Sequence, residues 1–297
     1  MEKQNTLLII NPIAGRKKAR TILYKVVDSL CRNNHKITIF TTTSKGEATQ
    51  IIREYASDMQ KIICCGGDGT LNEVLSGLSR ENLQIPVGYI PTGTTNDLAH
   101  ALGLSVNVKK AINVTLDGNI RKHDIGSFNE NQYFSYIASF GAFTKVSYTT
   151  PQWIKNLIGH TAYILYGIFN LNDIHSHRVK VVADGNEISG DFIFGSVSNS
   201  TVIGGIVKLA KSDIHFDDGK FEVMLIRTPK NAKELKKIIQ GLVHRRYDSR
   251  HVYFFKASDL SFHFEESVKW TIDGEYAGTA NEVEIKNHMG LAHIMGP

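Results

Sequence analysis

The chain has 297 residues, 42% hydrophobic and 21% charged, with 34 Lys+Arg against 29 Asp+Glu and a formal net charge of +5. A chain this long can bury roughly 75% of its extended surface, and the composition excludes collagenous, low-complexity and disordered classes. The mild basic excess suits a partner bearing phosphates or an anionic membrane surface, and equally an ordinary enzyme.

The N-terminus, Met1-Glu2-Lys3-Gln4-Asn5, runs straight into a strand and lacks the basic-then-apolar shape of a signal peptide. Thr6–Ile10 (TLLII) is a continuous apolar run, expected of a strand covered on both faces. Asn11-Pro12 ends it, and Gly15 opens a flexible loop. Ala19, Ile22, Leu23, Val26, Val27 and Leu30 then recur at helical spacing. Ile37 and Ile39 mark a short extended run. Ser44 and Glu47 have capping-box spacing ahead of a helix carrying Ala48, Ile51, Ile52 and Tyr55. Lys61–Cys65 (KIICC) is a further strand, followed by a glycine loop at residues 66–70. The next helix is marked by Leu71, Val74, Leu75 and Leu78, with Thr70 and Glu73 at capping-box spacing. Val87–Ile90 is a strand closed by Pro91. Apolar strands alternating with helices predict an α/β domain over residues 1–125, a parallel sheet with helices on both faces.

After about Asp124 extended segments dominate: Tyr133–Ser139, Val179–Ala183, Ile188–Ser196, Phe221–Ile226, Val252–Phe255, Leu260–Phe264, Val268–Ile272 and Val283–Ile285. Asp184-Gly185-Asn186 predicts a hairpin turn. Trp153–Asn170 and Ala232–Val243 read as helices. A second, mainly antiparallel domain is therefore expected over 126–290. The apolar stretch Leu157–Leu171 contains His160 and Thr161 and is too short to span a bilayer, so any membrane is visited from one side. Cys31, Cys64 and Cys65 are odd in number and lack CxxC spacing, which argues against a disulfide framework or zinc knuckle and fits a reducing, cytosolic setting.

The chemistry gathers at strand ends. In Gly66-Gly67-Asp68-Gly69-Thr70 the glycines let the backbone turn sharply and approach a ligand, and the helix that follows presents unpaired N–H groups. A bare carboxylate would repel phosphate, so Asp68 reaches a Mg²⁺ or a water on one. The competing reading is a plain glycine turn. The order is neither a Walker A loop nor a GxGxxG fingerprint. Pro91-Thr92-Gly93-Thr94-Thr95-Asn96-Asp97 offers hydroxyls, a glycine and an acid that is either functional or a helix cap. Both loops, with 11–15, follow strands on one rim, where open α/β sheets bind ligands.

In the second half, Trp270-Thr271-Ile272-Asp273-Gly274-Glu275-Tyr276 ends a strand and turns. A carboxylate there can accept the proton of an attacking hydroxyl, or Asp273 and Glu275 are solvent-facing turn acids. Phe216-Asp217-Asp218-Gly219-Lys220 can hold a hard cation or be an ordinary turn. Asp124 lies at the switch between the two patterns.

GGDGTLNEV (66–74), PTGTTNDLA (91–99) and IDGE (272–275) together resemble the diacylglycerol kinase catalytic family, in its soluble bacterial branch of diacylglycerol- and sphingosine-kinase-like enzymes. The resemblance covers nearly the whole chain. It implies an N-terminal nucleotide domain and a C-terminal β-sandwich with ATP in the cleft between them. It assigns Asn11, Gly66, Gly67, Gly69, Thr70, Thr92, Gly93 and Thr94 to the nucleotide, and Asp68, Asp97 and Asp124 to a Mg²⁺–water network. It makes Asp273 the general base and Glu275 a support of the metal network. Asp218 then holds a second, structural Mg²⁺ with carbonyls near His215 and Lys220. Lys211-Ser212-Asp213 replaces a stretch that often contains proline in relatives. The tail, 291–297, returns to the first domain. Relatives are often homodimers.

The implied reaction is ATP- and Mg²⁺-dependent phosphorylation of a lipid hydroxyl, diacylglycerol to phosphatidate. The place is the cytoplasm, with transient contact at the inner membrane face. The membrane is met either by Trp153–Leu171, alternatively a buried core helix, or by Lys233, Lys236, Lys237, Arg245, Arg246 and Arg250, alternatively a solvated face. Lys17, Lys18 and Arg20 can steer ATP or simply solubilise a helix. The rivals are another lipid-alcohol kinase, a NAD-kinase-like or sugar kinase, and a catalytically silent nucleotide- or lipid-binding regulator. No helix-turn-helix, finger or stacking module points to nucleic acid.

Overall fold

A computed structural model describes residues 3–94, 96–141, 175–200, 202–203, 207–208 and 215–297. In chain order they form β1 (Gln4–Ile10), α1 (Ala14–Arg32), β2 (His35–Thr41), α2 (Glu47–Tyr55), β3 (Lys61–Gly66), α3 (Asp68–Arg80), β4 (Val87–Pro91), α4 (Asp97–Ala101), α5 (Val108–Asp117) and β5 (Asn119–Phe128). Then come β6 (Gln132–Phe134), β7 (Ile137–Gly141), β8 (His177–Ala183), β9 (Asn186–Ser198), β10 (Val202–Ile203), β11 (Val207–Lys208) and β12 (Phe221–Arg227). The chain ends with α6 (Ala232–His244), β13 (Val252–Ala257), β14 (Asp259–Ile272) and β15 (Glu275–Gly296). The expected helix at 153–170 and the 211–213 stretch lie outside the described residues, as do the side chains of Lys17, Lys18 and Arg20.

The expected architecture, a parallel-sheet nucleotide domain plus a separate β-sandwich, is corrected by the strand pairing. The fold has an antiparallel β-barrel core with further strands and helices around it. β7 pairs with β9, β9 with β8, β8 with β14, and β14 returns to β7, all antiparallel, so the circuit closes instead of splitting into two facing sheets. Two long strands make the closure. β9 pairs with β8 through Asn186–Phe192 and with β7 through Phe194–Ser198. β14 pairs with β8 through Leu260–Phe264 and with β7 through Trp270–Ile272, with a register shift between His263 and Val268. A strand bent at a bulge can line two walls. Among the described residues the main sheet follows the path β13-β12-β9-β7-β14-β15-β4-β3-β1-β2, and β10 and β11 form a separate two-stranded sheet.

By Cα proximity the chain forms two units, Met1–Ile125 with Phe216–Asp218 and His288–Pro297, and Gly126–His215 with Gly219–Asn287. In the first, β1 pairs in parallel with β2 and β3, and β3 with β4, while Ile294 of β15 pairs with Val87. All six residues of β3 are buried, which is why Ile62–Cys65 are apolar throughout. Leu8, Ile63, Cys65 and Ile90 pack against Ile22, Val26 and Leu30 of α1 and Ile112 of α5. Burial pushes the thiol of Cys65 up to about 12 and that of Cys64 well above the usual range, so both act as small apolar side chains.

Lys61 is buried at the start of β3, and its Nζ donates to the carbonyls of Thr115 (2.9 Å) and Leu116 (3.4 Å) in the last turn of α5. Burial lowers its pKa while Asp117 pulls the other way. Lys61→Met keeps the apolar stem and loses both bonds, so the unfolding free energy should fall by about 1.5–3 kcal/mol, the usual worth of a charged hydrogen bond. Urea midpoints of the two proteins measure this.

In the second unit Trp270, fully buried, meets Phe140, Phe262 and Phe128 at ring distances of 5.0, 5.2 and 5.3 Å. The cross-strand partner of Phe140 is Gly195, where a Cβ would lie 2.1 Å from the ring. Glycine there gives the aromatic ring its space.

Candidate active site

Two strand-end loops of the first unit and the first turn of α1 meet through their glycines. A Cβ on Gly15, whose φ is +53°, would lie 1.7 Å from the carbonyl oxygen of Thr92. A Cβ on Gly93 would lie 2.7 Å from the Cα of Gly67. The amide of Thr92 donates to Gly66 (2.8 Å), and the amide of Asn11 to Cys65 (2.9 Å). The Nδ2 of Asn11 donates to the hydroxyl of Thr70 (3.1 Å). Asn11, Gly66, Gly67, Thr70, Thr92 and Gly93 are thus brought together, with Gly69 and Thr94 exposed on the same loops.

The capping box expected at Thr70 and Glu73 does not form. Gly67 is the N-cap of α3, and no side chain caps it. Thr70 is engaged by Asn11, while the Glu73 carboxylate accepts from the amides of Gly46 (2.8 Å) and Ala48 (3.2 Å) at the start of α2. At Ser44 half of the expected box is present: Glu47 accepts from the Ser44 amide (3.0 Å), but Gly46 is the N-cap. A glycine-capped helix start leaves its first amides as unpaired donors carrying partial positive charge. This is the elementary requirement for seating an anion.

Asp68 is half-buried in this rim and its Oδ1 accepts from the amide of Leu98 (3.2 Å), tying the first glycine loop to α4. Asn96 caps α4 with a left-handed backbone (φ 51°); its Nδ2 donates to Gly93 (3.0 Å), and its buried Oδ1 has no hydrogen-bond partner among the described residues. An orphaned buried carbonyl costs about 1–3 kcal/mol and marks room for a donor or cation. Thr95 and the side chain of Asp97 lie outside the described residues.

Asp124, on β5, is fully buried, and its Oδ1 accepts from the amide of Gly290 (2.7 Å) while its own amide donates to Phe216 (2.6 Å). Asp218 is half-buried in a turn with His215 and Lys220 both exposed. Among the described residues no group of three or more His, Cys, Asp or Glu converges as a metal cage. The residues fit phosphate through backbone amides, and they fit Mg²⁺ as a partner of phosphate plus a carboxylate.

Asp273 forms, with Gly274, the two-residue turn between β14 and β15; both have positive φ (48° and 84°), the turn for which Asp-Gly is preferred. Its carboxylate turns inward. Oδ2 accepts from the amide (2.8 Å) and hydroxyl (2.9 Å) of Ser135, and Oδ1 from the amides of Tyr136 (3.0 Å) and Ile137 (2.9 Å). Burial pushes its pKa up to about 6, against the downward pull of the Ser135, Ile137 and Tyr136 donors. Glu275, two residues on, is exposed, so the pair does not share a face. Ser135, Tyr136 and Ile137 were not singled out in the sequence; no spacing links 135–137 to 273, and only the barrel closure joins them. Asn96 had a signal, an Asn just before a helix.

Glycine-lined amides at strand ends are the apparatus of phosphoryl transfer, and the class is that of a kinase. Residues 5–128 match the family model of the diacylglycerol kinase catalytic domain. A diacylglycerol kinase of Bacillus subtilis (strain 168) is 32% identical over 91% of this chain and 89% of that protein. One of Staphylococcus carnosus (strain TM300) is 30% identical over 97% and 94%. A solved diacylglycerol kinase of Bacillus anthracis str. Sterne shares the fold, with a TM-score of 0.76 at 22% identity over 100% of this chain and 98% of that one. The chain belongs to the diacylglycerol kinase catalytic domain family. No helix among the described residues is long and apolar enough to cross a membrane.

Proposed function

We propose that the protein transfers the γ-phosphoryl group of ATP to the hydroxyl of a membrane lipid, diacylglycerol in the first instance, giving phosphatidate. The observation that carries this reading is the close packing, at Gly15, Gly67 and Gly93, of two loops and the first turn of α1 around the start of α3, which no side chain caps. Gly66, Gly67 and Gly69 let the amides of α3 reach phosphate oxygens. Asn11 holds the Thr70 hydroxyl in place from the neighbouring strand end. Thr92, Gly93 and Thr94 form the opposite lip. Asp68, Asp97 and Asp124 serve a Mg²⁺–water network, with Glu275 in support. Asp218 and the carbonyls near His215 and Lys220 serve a second, structural Mg²⁺. When bound, Mg²⁺ supplies charge neutralisation on the transferring group.

Asp273 is the base. Its four donors orient the carboxylate, and the hydroxyl of Ser135 lets it take up a proton without losing a bond. A hydroxyl both donates and accepts, so a protonated Oδ2 can donate to the Ser135 oxygen that had donated to it. Proton uptake comes late, because the transition state is loose. The work is done at the cytoplasmic face of the membrane.

Incubation with radiolabelled ATP, Mg²⁺ and a lipid extract tests the reading. Label is expected in the organic phase as a phosphatidate, and a chelator should abolish it. Label in a water-soluble product, or none at all, would overturn it.

A further inference from the structure

The second unit carries a basic pocket that the phosphoryl-transfer reading leaves unused. Residues 230–251 hold seven Lys/Arg (Lys230, Lys233, Lys236, Lys237, Arg245, Arg246, Arg250) against Glu234 and Asp248, an excess of five. The whole chain carries 34 against 29, also an excess of five, so the other 275 residues are balanced. An excess equal to the protein's net positive charge thus sits on α6 and the segments that flank it.

The local structure explains why this charge faces outward. α6 buries Leu235, Ile238, Ile239 and Leu242 and exposes Lys233, Lys236, Lys237 and His244. Both acids are engaged. Glu234 accepts from the amide of Lys230 (2.8 Å) at the far end of the helix, and Asp248 is held by the guanidinium of Arg250. Lys237 and Arg246 have no carboxylate partner among the described residues. They border a cavity of about 350 Å³ whose rim also includes Gln240, His244, Arg250 and His251. Arg245 closes α6 with φ 56°, a position that favours glycine.

We propose that this pocket and the face of α6 beside it dock on the phosphates of anionic phospholipids in a bilayer. Lys233 and Arg245 stand 12 residues apart along α6 and its cap, about 18 Å, so one small anion cannot meet both. A bilayer presents many phosphates at once, and each Lys or Arg near such a surface strengthens partitioning about fivefold. The pocket takes one headgroup phosphate between Lys237 and Arg246, and the flanking cations meet its neighbours. The inference extends the lipid-kinase reading but does not need it, since vesicle binding without turnover would leave the docking face intact.

Sedimentation of the full chain with phosphatidylcholine vesicles, and with equal mixtures of phosphatidylcholine and phosphatidylglycerol, tests it. Binding is expected only to the mixed vesicles and should weaken with added salt. Lys237→Gln with Arg246→Gln should cut partitioning about 30-fold, while turnover on detergent-dispersed diacylglycerol stays at the wild-type level. Lys36→Gln with Lys109→Gln, which removes the same charge from exposed sites in the first unit, should change partitioning less than about threefold. Equal losses in the two double variants, or equal binding to both vesicle types, would overturn the proposal. So would protection of the pocket by inorganic phosphate with no vesicle binding, which would make it a soluble-anion subsite.

Discussion

Asp273→Asn is expected to cut turnover by about 10²–10⁴-fold, the usual worth of a positioned base, while ATP binding is retained. Asn keeps the left-handed turn, for which it is among the few tolerant residues. Its amide group, however, puts N–H where an acceptor now faces Ser135 or the Tyr136 and Ile137 amides. A stability loss of about 1–3 kcal/mol should accompany the change. Activity must therefore be measured on protein shown to be folded at the assay temperature. A folded variant with near wild-type turnover would remove Asp273 from the chemistry and leave it as the peg of the 135–137 segment.

The pH dependence follows from the same residue. A base must be ionised, so wild-type turnover should rise with pH through about 6, the value to which burial raises Asp273. The stability effect has the opposite direction. The folded pKa lies above the ordinary 3.8, so the group's contribution to folding is full below about pH 4 and fades as pH rises through about 6. Turnover and melting temperature should thus move in opposite senses between about pH 4 and 6, and Asp273→Asn should flatten both. Ser135→Ala removes the hydroxyl that exchanges donor and acceptor roles while leaving the three backbone donors. It should lower turnover and shift the pH profile without changing the KM for ATP.

The second large effect is expected at Gly15. Alanine there meets the Thr92 carbonyl at 1.7 Å with φ +53°, and backbone, unlike a flexible side chain, cannot step aside. Gly15→Ala should raise the KM for ATP at least about tenfold by pushing the Pro91–Thr94 loop off the rim, and should cost about 1–3 kcal/mol of stability. Gly46→Ala is the control. Its φ is +83° but nothing lies within 4 Å of the added Cβ, so it should bear only the left-handed cost of about 1–2 kcal/mol and leave the KM unchanged. Equal KM values for the two variants would separate the Gly15 contact from the nucleotide site.

Much of the local structure was open to reading one residue at a time. Unbroken apolar runs marked β1 and β3, and Asp184-Gly185 marked the turn that joins β8 to β9. Helical periodicity marked α6 within a residue of its observed end. The glycine loops were recognisable because their chemistry depends on backbone, and glycine is the residue that exposes backbone. α5 was missed although Val108, Ala111, Ile112 and Leu116 recur at helical spacing, and β5 was missed because its first four residues are exposed. The caps misled because spacing alone cannot say which helix a carboxylate will serve. Glu73 sits three residues after Thr70 yet caps α2, which is its neighbour in space.

Local composition and spacing alone determined which segments extend, which coil, and where backbone is laid bare for an anion. Tertiary structure decided that the Leu260–Phe264 and Val268–Ile272 runs are one bent strand, that the antiparallel strands close into a barrel, and that the Asp273 carboxylate turns inward to Ser135. The physical reason is range. Propensity and periodicity act over a turn or two of chain, whereas barrel closure and a buried carboxylate's donors come from residues more than a hundred positions away, which meet only when the core packs.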